Sequence, residues 1–144
     1  YREATRMPRD QIYDVECDVF VPAANGSAIT AEIAPRLRTR CVVEAADGLL
    51  SSEAEDFLRK KGILVLPDIL ANSGDAISSY LEHLGKTIDD AFASIDSKIR
   101  KNTKLVLDLA IQNETTPRIV AMDIATKRVS EAMGYASHSL REVK

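Results

Sequence analysis

Apolar residues fall in two different rhythms along this chain, and the change comes near residue 68. Before it they gather in short runs. Residues 18–22, from Asp18 to Pro22, form a β-rich run too short for a helix and stopped by proline. Cys41 to Glu44 is a second such run, and Ile63 to Leu66, ending at Pro67 and Asp68, a third. Between the first two a helix is expected from about Ser27 or Thr30 to Leu37, with Glu32 four residues before Arg36 in support. Between the last two, Ser52 with Glu55 reads as a capping box opening a helix that Gly62 closes. Glu55–Arg59 and Asp56–Lys60 stand at favourable i,i+4 spacing on it. Residues 1–16, broken by Pro8, serve as a lead-in. Short strands alternating with helices signal crossovers and a parallel sheet.

After Asp68 the period becomes helical throughout. Ile77, Tyr80, Leu81 and Leu84 share one face, and residues 87–90 read as a helix start with acids in the first turn. Phe92, Ile95, Ile99, Val106 and Leu109 then step in threes, fours and sevens. Residues 113–117 form a boundary, with Thr116 as N-cap and Pro117 at the first helical position. Met122, Ala125, Val129, Ala132 and Ala136 make a second stripe, with Gly134 at its end. The matching stripes and short connection predict two antiparallel helices packed on each other. The expected fold is α/β: a parallel sheet of three short strands with crossover helices in residues 1–68, followed by a helical tail, residues 69–144, packing on it.

Composition narrows the function classes. At 144 residues and 45% hydrophobic, the chain buries a core without a disulfide or metal staple. Nineteen Lys and Arg against 22 Asp and Glu leave a net charge of −3, which argues against a nucleic-acid partner. The basic group Lys98, Arg100, Lys101 and Lys104 is read as a solvated face. No apolar run approaches the ~18 residues of a membrane span, and no basic-then-apolar leader opens the chain. Cys17 and Cys41 read as reduced, buried thiols, and the expected location is the cytoplasm.

In an open parallel sheet, ligands sit beyond the carboxyl ends of the strands. Three segments lie there: Pro22 to Asn25, Glu44 to Gly48, and Pro67-Asp68 running on to Asn72 and Gly74. Two carry an alanine pair, then a polar side chain, then glycine. Small side chains let a flat ring or ribose approach the backbone, although turn geometry alone also favours such residues. Other chemistries fail on inventory. His83 and His138 lack metal-ligand spacing, the cysteines are no CxxC pair, and no GxSxG or P-loop occurs. The six glycines never form GxGxxG, so the turn that cradles a pyrophosphate is missing from this half-sheet.

Taken in order, Cys17 to Ala24, Val43 to Gly48 with Ser52 to Glu55, Leu66 to Asp68, and Asn72 to Glu82 resemble the carboxy-terminal part of the glutamate/leucine/phenylalanine/valine dehydrogenases. The resemblance runs from about residue 10 to residue 138, and it implies the second half of a Rossmann-like parallel sheet, with residues 1–68 the βαβ half of a dinucleotide-binding domain and residues 69–144 a helical extension packing on it. It implies NAD- or NADP-dependent oxidative deamination of an L-amino acid to a 2-oxo acid and ammonium, by an oligomer of like subunits. It also implies that the substrate domain, with its catalytic lysine and aspartate, lies amino-terminal to this chain, so no catalytic residue carries over and the chain alone is inactive. By resemblance Ala23, Ala24, Asp47 and Asn72 border the cofactor at its nicotinamide end, while Ala76 and Ser79 line the amino-acid pocket. No metal is implied.

Four departures stand inside these motifs. Asp47 replaces an asparagine and offers only acceptors. Leu49 replaces a proline, Asp75 a glycine, and Ala76 a valine. They leave room for an alternative: a non-catalytic regulatory or scaffolding paralogue of the same family.

Overall fold

The computed structural model describes residues 6–24 and 26–132. Asn25, Gly134, Ala136 and His138 therefore lie outside the described residues. Three parallel strands, β1 (Val19–Phe20), β2 (Cys41–Val43) and β3 (Leu64–Leu66), lie side by side in chain order. Val19 pairs with Cys41, and Val42 with Val65, so β2 is flanked on both sides. The strand runs expected from residues 18–22, 41–44 and 63–66 all form, each trimmed at its ends. The fold is α/β with a helical tail, as the apolar pattern anticipates.

The first crossover departs from expectation. In place of a helix from Ser27 or Thr30, there is a turn followed by a 3₁₀ helix, Ala34–Arg36. Two causes are visible. Ile29 forms a parallel bridge with Leu50: its N–H donates to the Leu49 carbonyl at 2.9 Å and its own carbonyl accepts from Ser51. Pro35 then removes a donor that a longer helix needs. Arg36 turns away from Glu32 and pairs with Asp14 at 2.7 Å, in the 3₁₀ helix Arg9–Asp14 of the lead-in.

The second crossover is a true α-helix, α1 (Ser52–Lys60). Its cap is Ser51, one residue before the expected Ser52: Ser51 is extended and its hydroxyl accepts from the Ala54 N–H at 3.2 Å. Arg59 pairs with Asp56 at i,i+3, because Glu55 is engaged elsewhere. Ile29, Ala34, Leu37, Val42, Ala54, Leu58, Ile63 and Val65 form the core beneath the sheet. Cys17 and Cys41 are half-buried free thiols, and burial pushes the Cys41 thiol up.

The tail comprises α2 (Asp68–Ala71), α3 (Gly74–His83), α4 (Ile88–Gln112) and α5 (Pro117–Ala132). Thr87 and Asp90 form a reciprocal capping box at the start of α4. A second core joins Leu70, Val106, Ala110, Val120 and Ala121, with Leu109 and Ile124 against it. So α4 does pack on α5, but only through its carboxy-terminal half. Ile95 and Ile99 pack beside Gly74 of α3 instead, and Phe92 is 67% exposed. On α5 the buried face is Val120, Ala121 and Ile124; Met122 is 52% exposed and Val129, at 57%, stands at the margin of the groove between α2, α4 and α5. The heptad stripe of α5 thus misses its contact face by about one residue, because α2 as well as α4 draws the helix inward. Arg100 with Asp96 and Lys104 with Asp108 form exposed i,i+4 pairs along α4, as a solvated face would. Among the described residues no helix is long and apolar enough to cross a membrane.

Candidate functional site

The loops that leave the three strands are stitched to one another. After β1, the buried Pro22 accepts at its carbonyl from the Ala45 N–H, 3.0 Å away, which seats the following Ala23 and Ala24 beside the loop after β2. Both alanines are exposed. Ser27 N–H donates to the Gly48 carbonyl at 2.8 Å. Gly48 itself has φ of +61°, a left-handed conformation that suits glycine, and it turns the chain back so that Leu49 is fully buried.

The β2 and β3 loops meet through side chains. Asn72, which ends α2, donates from Nδ2 to Asp47 Oδ1 at 3.0 Å. Two of the residues expected to share one site, 25 positions apart, are therefore in direct contact. Ala76 and Ser79 sit one turn apart on the exposed side of α3, and no side-chain hydrogen bond among the described residues joins them to Asp47 or Asn72. Asp75, beside them, is exposed, and its carbonyl accepts from the Ser78 hydroxyl.

Beneath this surface lies a charged cluster absent from the sequence reading. Glu44, the residue after β2, is fully buried. Its Oε1 accepts from Leu50 N–H at 3.3 Å, and its Oε2 from Asp68 N–H at 3.2 Å and from Arg118 Nη2. Asp68 Oδ1 accepts from Arg118 Nη1 at 2.9 Å and from its neighbour Ile69, while Oδ2 accepts from Gly48 N–H at 2.9 Å. Arg118 Nε donates to Glu55 of α1 at 2.6 Å. Burial, the largest influence, pushes the Glu44 carboxyl up against the pull of Arg118. Burial also works on Asp68, but the Gly48 and Ile69 N–H donors and Arg118 together hold it below the ordinary range. Burial alone would lower Arg118; the Glu55 hydrogen bond and the charges of Glu44 and Glu55 outweigh it and raise the guanidinium.

One signal in the sequence points to Arg118. It stands at the second position of α5, where the helix dipole disfavours a cation, and the first turn holds no acid. A misplaced charge of that kind needs partners from elsewhere in the fold. A separate apolar groove of about 280 Å³ lies between α2, α4 and α5, lined by Ile69, Val106, Ala125 and Val129 and by neither Asp47 nor Asn72.

The family described as Glutamate/Leucine/Phenylalanine/Valine dehydrogenase matches residues 1–136. The chain is 36% identical over 143 residues to a glutamate dehydrogenase of Aeropyrum pernix, covering 92% of this chain and 34% of that protein. A glutamate dehydrogenase of Thermotoga maritima is 42% identical over 82 residues, 57% of this chain and 20% of that protein. Among solved structures, a hetero-hexameric glutamate dehydrogenase from Thermus thermophilus superposes with a TM-score of 0.79 at 26% identity, over 90% of this chain and 33% of that one. The L-tryptophan dehydrogenase from Nostoc punctiforme gives 0.77 at 28% identity, over 87% and 38%. The chain spans about a third of the length of the curated relatives that it matches along most of its own length.

Proposed function

The chain belongs to the glutamate/leucine/phenylalanine/valine dehydrogenase family, and from that premise we propose that it forms the nicotinamide side of an amino-acid dehydrogenase. The reaction is oxidative deamination of an L-amino acid, of the glutamate type, to a 2-oxo acid and ammonium. The observation that carries this reading is the Asp47–Asn72 contact at the joined strand ends. Ala23 and Ala24 leave those ends open, as a flat ring requires. With one Asn72 amide N–H given to Asp47, the pair keeps carboxylate and amide oxygens and a second Asn72 N–H, groups that suit a carboxamide.

NAD or NADP, when bound, supplies the hydride acceptor. Ala23, Ala24, Asp47 and Asn72 hold its carboxamide end, and Ala76 and Ser79 border the amino acid. The phosphates and the acid–base chemistry fall to an amino-terminal substrate and phosphate-binding portion, so the chain alone is inactive. The working form is a homo-oligomer in the cytoplasm. Two separate hydrophobic cores support dividing the chain into residues 1–68 and 69–144.

Amino-acid-dependent reduction of NAD or NADP, followed by absorbance for this chain alone and for the chain joined to its amino-terminal substrate domain, tests the proposal. Turnover by the joined protein alone supports it. No turnover by either, across a panel of amino acids, overturns it. A second reading, a non-catalytic paralogue that regulates or scaffolds an active partner, is favoured by the carboxylates at Asp47 and Asp75. It predicts that last outcome together with stable binding to a catalytic subunit.

A further inference from the structure

Among the described residues, Arg118 is the one side chain that reaches three carboxylates on three separate segments: Glu44 at the end of β2, Glu55 on α1 and Asp68 at the start of α2. Each of its three nitrogens serves a different acid. A planar guanidinium held this way has its position and its rotation set, which a lysine ammonium does not reproduce. The consequence runs outward through the acids. Arg118 takes one oxygen of Asp68, and the other oxygen receives the Gly48 N–H. Arg118 likewise takes one oxygen of Glu44, and the other receives the Leu50 N–H. The first and last amides of the 48–50 turn, Gly48 and Leu50, therefore hang on carboxylates that Arg118 orients, and Asp47 immediately precedes that turn.

We propose that Arg118 is a positioning residue: through Glu44 and Asp68 it sets the backbone of the turn after β2, and with it the direction in which Asp47 meets Asn72. Its bearing on a bound nicotinamide rests on the reading given under Proposed function; the setting of the turn does not. The competing role is purely structural. Arg118 would then only fasten α5 to the sheet half, and its loss would lower stability without moving the turn.

Backbone amide NMR on the whole chain separates the two, with R118K, R118M and E55A compared with the unaltered protein. R118K keeps the charge and nearly the length, so it decides the matter if R118M fails to fold. E55A cuts the tie to α1 and leaves both bonds to the turn. The expected result is that R118K moves the Gly48 and Leu50 amide protons upfield and speeds their exchange about tenfold, the scale of losing a hydrogen bond to a charged group. Val42 and Leu66, within the sheet, keep their resonances, and E55A leaves Gly48 and Leu50 in place even if it melts earlier. Gly48 and Leu50 unmoved in folded R118K overturns the proposal, whatever happens to the melting midpoint. Titration with NAD or NADP of the chain joined to its amino-terminal domain tests the link to the ligand: weaker binding in R118K is expected. A moved turn in R118K, with no change in cofactor binding by the chain joined to its amino-terminal domain, leaves the positioning role standing and overturns the cofactor reading instead.

Discussion

Glu44 and Asp68 are neighbouring carboxylates with opposite displacements, and this makes acid stability a test of the buried cluster. Facing them are Arg118 and Glu55. Burial raises Glu44, so the folded protein takes up that proton first, and stability gains slightly as pH falls through the folded value of Glu44. Asp68 is lowered, so its contribution is present above the ordinary aspartate value of about 3.9 and is lost as pH falls through its folded value. Urea midpoints are expected to pass a shallow maximum in mild acid and drop below about pH 4. Asp68→Asn should blunt that drop, and a parallel profile would assign the acid limb to other groups. Nearer the surface, Asp47→Asn keeps an acceptor for the Asn72 amide while adding a donor toward a carboxamide oxygen. It should tighten nicotinamide binding by roughly 1 kcal/mol, the net value of one hydrogen bond. Weaker or unchanged binding, titrated on the full-length protein with its amino-terminal domain, would remove Asp47 from the site.

Helix ends and helix faces are where the elements can be tested. Ser51, with its extended backbone, caps α1, and Ser52 is already inside the helix. Ser51→Ala should cost about 1 kcal/mol in urea denaturation and Ser52→Ala far less. Equal effects would contradict the observed cap. The two serines are adjacent and chemically alike, so the pattern of residues offers little to choose between them. The choice follows from the chain path, since Ser51 N–H is held by the Ile29 carbonyl and must stay extended. Ile99, half-buried against the backbone of Gly74, holds α3 to the middle of α4. Ile99→Asp should lower stability by about 1–2 kcal/mol, the range for a charge placed on a partly buried apolar site. An unchanged thermal midpoint would mean that this face contributes nothing.

At the scale of the whole molecule, the helical tail is tied to the sheet half through Arg118, and the strand-end surface is built from parts of both. The sequence has no GxGxxG turn leading into a helix, the feature on which dinucleotide affinity usually rests. Calorimetric titration of the isolated chain with NAD or NADP should therefore reach millimolar binding at best, and a micromolar constant would refute this. The sequence by itself determined the three strands, the parallel sheet, the start of α4 near Thr87, the Pro117 helix start and the family, because each is written in local composition or in an ordered set of short motifs. Asp47 and Asn72 were likewise legible as site candidates. Only the tertiary structure decided that Ile29 would bridge to Leu50 rather than begin a helix, that α5 would bury Val120 and Ala121 rather than Met122 and Val129, and that Arg118 would gather Glu44, Glu55 and Asp68. Periodicity and propensity describe a residue relative to its near neighbours. These three outcomes depend on the angle and register at which distant segments dock, with Arg118 lying 50 to 74 positions from the acids that hold it.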